Sequence, residues 1–231
     1  MNKIKQVILL KKLWMALGVL CLALSFIIVE VVQANKTSGV IIYIDPGHGG
    51  SDGGAIGADG TYEKDIVLPI SLALEELFVS DGYDVIMTRR EDIDLAPSGS
   101  HNRKRDDIHK RVELINNSGA ELYLSIHANI FPNSYCWGAQ TFFKRNESKS
   151  RELAVNVQNS LLLNLMNTYR VAKHINDVYI VDNVIIPGCL VEVGFLSNRE
   201  ELELLKSNNY QKEVAMAIFL GVKEYLEKYQ K

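Results

Sequence analysis

Cysteine is scarce: Cys21, Cys136 and Cys189 are the only three in 231 residues. No Cys-x-x-Cys pair exists, which removes a thiolate zinc site from consideration. Cys136 and Cys189 are expected as two unpaired thiols, Cys189 inside a strand, with a single bridge between them as the alternative. Tracts rich in proline, glycine or serine are also missing, as are internal repeats, so no linker marks off a second folded domain. Excess positive charge is lacking too. Lys and Arg total 25 against 28 Asp and Glu. Setting aside residues 1–34, with four lysines and one glutamate, leaves 21 basic against 27 acidic side chains. Nucleic-acid binding calls for the opposite balance and is excluded.

One long hydrophobic run is present, at the start. Lys3, Lys5, Lys11 and Lys12 precede Leu13–Val29, which is apolar apart from Gly18 and Ser25, and Val32-Gln33-Ala34 offers small residues suited to cleavage. The run exceeds a typical signal-peptide core of about 7–15 residues and falls short of the ~20 that span a bilayer comfortably. Residues 1–34 are therefore expected to be either a cleaved signal peptide or a retained anchor through residues 13–29. Residues 35–231 are expected to form one exported domain, facing outward in both cases.

Within that domain, short apolar runs alternate with helical patterns. The expected fold is α/β, with a mixed, largely parallel central sheet of about six strands and helices on both faces. Expected strands are Val40–Ile44, Asp84–Thr88, Leu122–Ile126, Ala139–Phe143, Val178–Val181 and Leu190–Val193, with Pro46 closing the first ladder. Expected helices are Ile66–Ser80, Asp106–Asn117, Ser148–Leu165, Arg199–Lys206 and Tyr210–Lys228. Val214, Ile218, Val222 and Leu226 recur at spacing four, so the last helix packs on the sheet. Glu91–Arg105 reads as a solvated loop, and the Arg103-Lys104-Arg105 cluster meets Asp106-Asp107 directly. His101, His109 and His174 sit in polar surroundings and are expected at the surface.

Three strands deliver candidate chemistry. "IIYIDPGHGG" places His48 among glycines, which are expected to let the backbone turn sharply and to let a ligand approach closely from outside; "LYLSIHAN" delivers His127; "CLVEVGF" carries Glu192. Sites in open α/β sheets form beyond the carboxyl ends of strands, so the three can converge. Two imidazoles with one carboxylate are a ligand set of catalytic zinc, the fourth position being left to water. Spacing does not identify the carboxylate: Asp45, Asp52, Glu63, Asp65 and Glu192 all qualify.

"DPGHGGSDGGA", "YEKD", "SIHAN" and "VEVGFLSN" occur in that order, and together they resemble the zinc-dependent N-acetylmuramoyl-L-alanine amidases of the Amidase_3 family. The likeness runs from about Val40 to the C-terminal helix. It implies His48, Glu63 and His127 as ligands of one Zn2+, Glu192 as the catalytic carboxylate, and peptidoglycan as the substrate. By its place in the pattern Arg111 is a family arginine, expected in a structural ion pair, while Asn129 is expected either to touch substrate or to cap the turn. Only 64 residues separate His127 from Glu192, too few for the inhibitory helical insertion of division-associated amidases. A leader followed by a bare catalytic domain resembles the spore-cortex (germination-specific) amidases, which act in muramic-δ-lactam formation.

Other readings remain open: a general cell-wall amidase or autolysin, a metallopeptidase cutting within the stem peptide, or an inactive peptidoglycan-binding protein. A regulatory protein partner is left unidentified. The loop Ile130–Trp137, rich in aromatics, follows His127 closely and is expected to form a substrate wall through Phe131, Tyr135 and Trp137.

Overall fold

The computed structural model describes residues 39–229; the expected leader and anchor, residues 1–34, lie outside them. Six strands form one sheet in the order β2-β1-β3-β6-β4-β5. They are β1 (Ile41–Pro46), β2 (Asp84–Met87), β3 (Leu122–Asn129), β4 (Gln140–Lys144), β5 (Lys173–Ile175) and β6 (Gly188–Phe195). The helices are α1 (Glu63–Ser80), α2 (Arg103–Asn116), α3 (Ser148–Leu165), α4 (Tyr179–Asn183), α5 (Arg199–Leu205) and α6 (Asn208–Tyr229). β2, β1, β3 and β6 run parallel, while β4 pairs antiparallel with β6 and parallel with β5. The expected mixed, largely parallel sheet is therefore present.

Alternation along each strand sorts the core into two layers. Ile42, Ile44, Leu122, Leu124, Ile126, Val191 and Val193 pack in one cluster with α1, α3, α5 and α6. Tyr43, Tyr123 and Leu190 point the other way, into a cluster with Val112 and Ile115 of α2 and Ile180 and Val181 of α4. The spacing-four row of α6 is fully buried except Leu226, at 4% exposure. Gly221 lets α6 approach α3, where a Cβ would lie 2.6 Å from Val157 Cα. Among the described residues no helix is long and apolar enough to cross a membrane.

Two expectations fail. Val178–Val181 is not a strand; Tyr179–Asn183 forms α4, which turns its apolar side onto the second cluster, and the edge strand is the polar Lys173–Ile175. Pro46 does not close its ladder: it stays in register with Ile126, and the Gly47 amide donates to the Ile126 carbonyl at 2.9 Å. Cys136 and Cys189 are both free. His101, His109 and His174 are exposed, as expected, with His109 stacked on Tyr179.

Candidate active site

His127 and Glu192 are register partners on neighbouring strands, so their side chains leave the same face of the sheet. They meet His48, delivered by the turn after β1, and Glu63, the first residue of α1. His48 Nε2 lies 3.0 Å from Glu63 Oε2, and His127 Nδ1 lies 2.8 Å from Glu63 Oε1. The two imidazoles stand edge to face, centroids 5.0 Å apart. One ligand atom from each of His48, Glu63 and His127 falls within a 4.8 Å group, an arrangement that could hold a metal ion.

Each member is braced. Glu63 is buried and accepts from the amides of Ala55 (2.8 Å) and Ala128 (3.0 Å). Burial alone would raise its pKa; the hydrogen bonds with His127 and His48 outweigh burial and hold the carboxyl well below its usual range. For His127, burial lowers the pKa, and Glu63 reverses that to a net rise. Asp52 Oδ2 lies 2.8 Å from His48 Nδ1, so an Nδ1–H tautomer donates to Asp52 and leaves Nε2 aimed at the cluster. Asp52, a candidate ligand by sequence, thus orients His48 instead.

Asp45 is also turned away from ligation. It is buried and accepts from Arg111 (2.7 Å), Thr88 (2.6 Å) and Ser125 (2.8 Å). Arg111 is the expected structural ion pair, held by Asp45 and Asp107. It does more than pair, since it also donates to the carbonyls of Pro46 and His48, while Arg89 donates to those of Pro46 and Gly47. These contacts fix a turn in which His48 itself has φ 57°, a region an L-residue enters only when surrounding contacts hold it. Arg89 and its carbonyl grip escaped the sequence reading, because nothing local distinguishes that arginine from Arg90. Asp65 is exposed, and Asn129 accepts through its carbonyl from the Leu196 amide at 2.8 Å.

The glycines around His48 clear space for the site's own side chains. A Cβ on Gly47 would lie 2.4 Å from His127 Cε1; one on Gly54 would lie 2.6 Å from both Glu63 Oε2 and His48 Cδ2. The expectation that they admit a ligand from outside is corrected accordingly. The expected loop Glu91–Arg105 ends earlier, since Asn102 caps α2 and Arg103–Arg105 form its first turn; the segment is largely exposed, yet it is also a latch. Asp92 accepts from the Gly50 amide and from Lys64, Asp94 accepts from Ser51, and Arg103 is paired with Asp94.

Glu192 is half-buried, and its Oε2 is a buried polar atom without a partner. Burial pushes its pKa up to about 7, against the pull of His127. A cavity of about 330 Å³ opens beside His48 and His127, bordered by Asp52, Lys104, Arg105 and Arg111. Ile130, Phe131, Tyr135 and Trp137 are all exposed and do not belong to the core.

Over 191 residues the chain is 46% identical to the germination-specific N-acetylmuramoyl-L-alanine amidase of Bacillus subtilis, covering 81% of this chain and 80% of that protein. It is 27% identical over 238 residues to the N-acetylmuramoyl-L-alanine amidase AmiA of Escherichia coli, covering 84% and 78%. Its fold matches the CwlD amidase of Clostridioides difficile, solved in complex with the GerS lipoprotein, at TM-score 0.80 and 38% identity over 82% of this chain and all of that one. With residues 42–224 matching the Amidase_3 pattern, the chain belongs to the N-acetylmuramoyl-L-alanine amidase family, enzymes of peptidoglycan.

Proposed function

We propose that the chain is a zinc amidase in which His48, Glu63 and His127 hold the metal and Glu192 moves the proton. The observation that carries this reading is the pairing of a braced His–Glu–His group with a buried, unpartnered carboxylate oxygen beside it. The donor set fits zinc: two imidazoles and one carboxylate leave a position for water. A bound zinc lowers the pKa of its water toward 7 and polarises a carbonyl.

The protein's residues supply the rest. Asp52 holds the His48 tautomer, and the amides of Ala55 and Ala128 aim the Glu63 oxygens. Glu192, poised near neutrality by burial, accepts a proton from the attacking water and returns it to the departing nitrogen. The lactyl carbonyl carbon of N-acetylmuramic acid gains the water oxygen, its bond to the L-alanine nitrogen breaks, and a carboxyl and a free amine result. Glu192→Gln keeps the shape and removes the base, so turnover is expected to fall about 10²–10⁴-fold.

The identity shared with the Bacillus subtilis enzyme supports a place in spore-cortex muramic-δ-lactam formation. The complex of the Clostridioides difficile relative with a lipoprotein supports a protein partner here as well. Residues 1–34 are proposed as the export leader or anchor that brings the domain to the cell wall.

The test is a digest of purified peptidoglycan with end-group labelling of new amines. New amino termini on L-alanine are expected. New termini on a later stem residue would make the protein a metallopeptidase, and unchanged peptidoglycan would make it a binder.

A further inference from the structure

Among the described residues, two buried side-chain polar atoms lack a hydrogen-bond partner: Glu192 Oε2 and Asn167 Oδ1. The first belongs to the proposed catalytic group. The residue that carries the second, Asn167, lines a separate cavity of about 240 Å³, together with Tyr135, Trp137, Asn198, Glu200 and Leu204. That cavity is built by the loop leaving β3 just after His127, by the chain following α3, and by α5, which follows Glu192-bearing β6. It therefore sits at the same edge of the sheet, displaced toward β4.

We propose that this cavity is a sugar subsite, holding one N-acetylhexosamine ring of the glycan strand. The inference rests on the amidase reading for its choice of polymer. Four observations support it. Tyr135 is 87% exposed and Trp137 50%, so flat apolar faces are offered to a ligand and not to the core; the C–H face of a pyranose packs well on such rings.

Asn167 is 8% exposed and donates its amide to the Tyr210 hydroxyl, leaving the oxygen bare. Exchanging the amide oxygen and nitrogen only moves the deficit to a donor. A hydroxyl or acetamido group, which donates and accepts, satisfies either orientation, and an unmet buried polar group is costly enough to favour such a ligand.

The loop is also already fixed. The Phe131 amide donates to Ser197 Oγ at 3.1 Å, Asn198 Nδ2 to the Ser134 carbonyl at 3.0 Å, the Gly138 amide to Glu201 Oε1 at 2.8 Å, and Arg170 Nε to the Trp137 carbonyl at 3.1 Å. A preformed platform loses little freedom on binding. Finally, Glu200 is exposed at the border of the cavity, and its carboxylate disfavours the acidic stem peptide while tolerating a neutral sugar. The volume lies below the roughly 300–1,000 Å³ that encloses a whole drug-sized ligand, which suits a single ring of a longer chain.

The test titrates the full-length chain with tri-N-acetylchitotriose. This probe carries acetamido sugars but no lactyl amide, so binding is read independently of hydrolysis. Trp137 emission should change saturably, and the change should vanish in Trp137→Phe. Affinity measured by calorimetry should fall at least tenfold in Tyr135→Ala and in Asn167→Leu, and cellotriose, which lacks the acetamido groups, should bind at least tenfold more weakly. Circular dichroism checks the fold of Asn167→Leu; if that variant misfolds, Tyr135→Ala, changed at a surface position, decides alone. Absence of saturation in the wild-type chain, affinity that survives Tyr135→Ala, or equal binding of cellotriose would overturn the subsite. Sugar binding without L-alanine release would retire the amidase reading and leave the subsite standing.

Discussion

Replacing Arg111 with methionine keeps most of the side-chain volume and removes the charge. Arg111 is 1% exposed, and its guanidinium meets Asp45, itself 1% exposed, at 2.7 Å and Asp107 at 2.7 Å. Without it, Asp45 faces the interior with only the Thr88 and Ser125 hydroxyls. Breaking a buried pair by removing one partner costs about 3–5 kcal/mol. Each kcal/mol lowers the Tm of a domain this size by roughly 2–4 °C, so the fall should be about 6–20 °C. In the wild type, burial raises the Asp45 pKa but Arg111 and the hydroxyls outweigh it, so the folded pKa lies below the unfolded one. Ionised Asp45 then contributes stability above the unfolded pKa, and that contribution is lost as pH falls. In Arg111→Met, burial dominates, the folded pKa rises above the unfolded one, and the sign reverses: the penalty grows with pH. The Tm gap between the two proteins, followed by calorimetry from pH 8 to pH 5, should therefore narrow on acidification. Adding Asp45→Asn should recover part of the loss. A gap worth under about 1 kcal/mol, or one that is constant with pH, would refute the buried-pair account.

Two further outcomes are expected. Burial pushes the Glu201 pKa up to about 7 from 4.5, so the folded state binds more protons between those values and stability should decline as pH rises through that window. Glu201→Gln, whose side chain keeps only one acceptor for the Gly138 and Phe195 amides, should cost about 1–3 kcal/mol and flatten that decline in urea titrations; an unchanged slope would reassign the pH dependence. Gly47→Ala would drive a methyl into the His127 ring and should weaken zinc affinity about 10–100-fold in a chelator competition, the range seen when the support of a metal ligand is disturbed. Unaltered affinity would show that His127 can shift without cost.

Much of this was legible in the residues because strand alternation carries side-chain direction. Once β3 and β6 are read as strands, His127 and Glu192 need only share a register to face one another, and they do. The edge strand Lys173–Ile175 left no such trace: it is short, polar and exposed on two of its three residues, so burial imposed no pattern. Val178–Val181 carried a strand-like apolar run whose helical form is set by packing on the second core cluster. Among the five candidate carboxylates, spacing could not choose, because it does not show what each one meets in the fold: Arg111 pairs with Asp45, the far ring nitrogen of His48 meets Asp52, and Asp65 faces solvent. Asn167 was invisible for the same reason, since its meaning lies in an unmet hydrogen bond and a cavity contributed by three separate segments.

The central claim is that His48, Glu63 and His127 together hold a zinc on which hydrolysis depends, and metal content per chain tests it most directly. Atomic absorption on the purified wild-type protein should give one zinc per chain, and Glu192→Gln, which leaves the ligands intact, should give the same. His48→Ala/His127→Ala should give none, with amidase activity lost. Full zinc occupancy in that double variant would contradict the account.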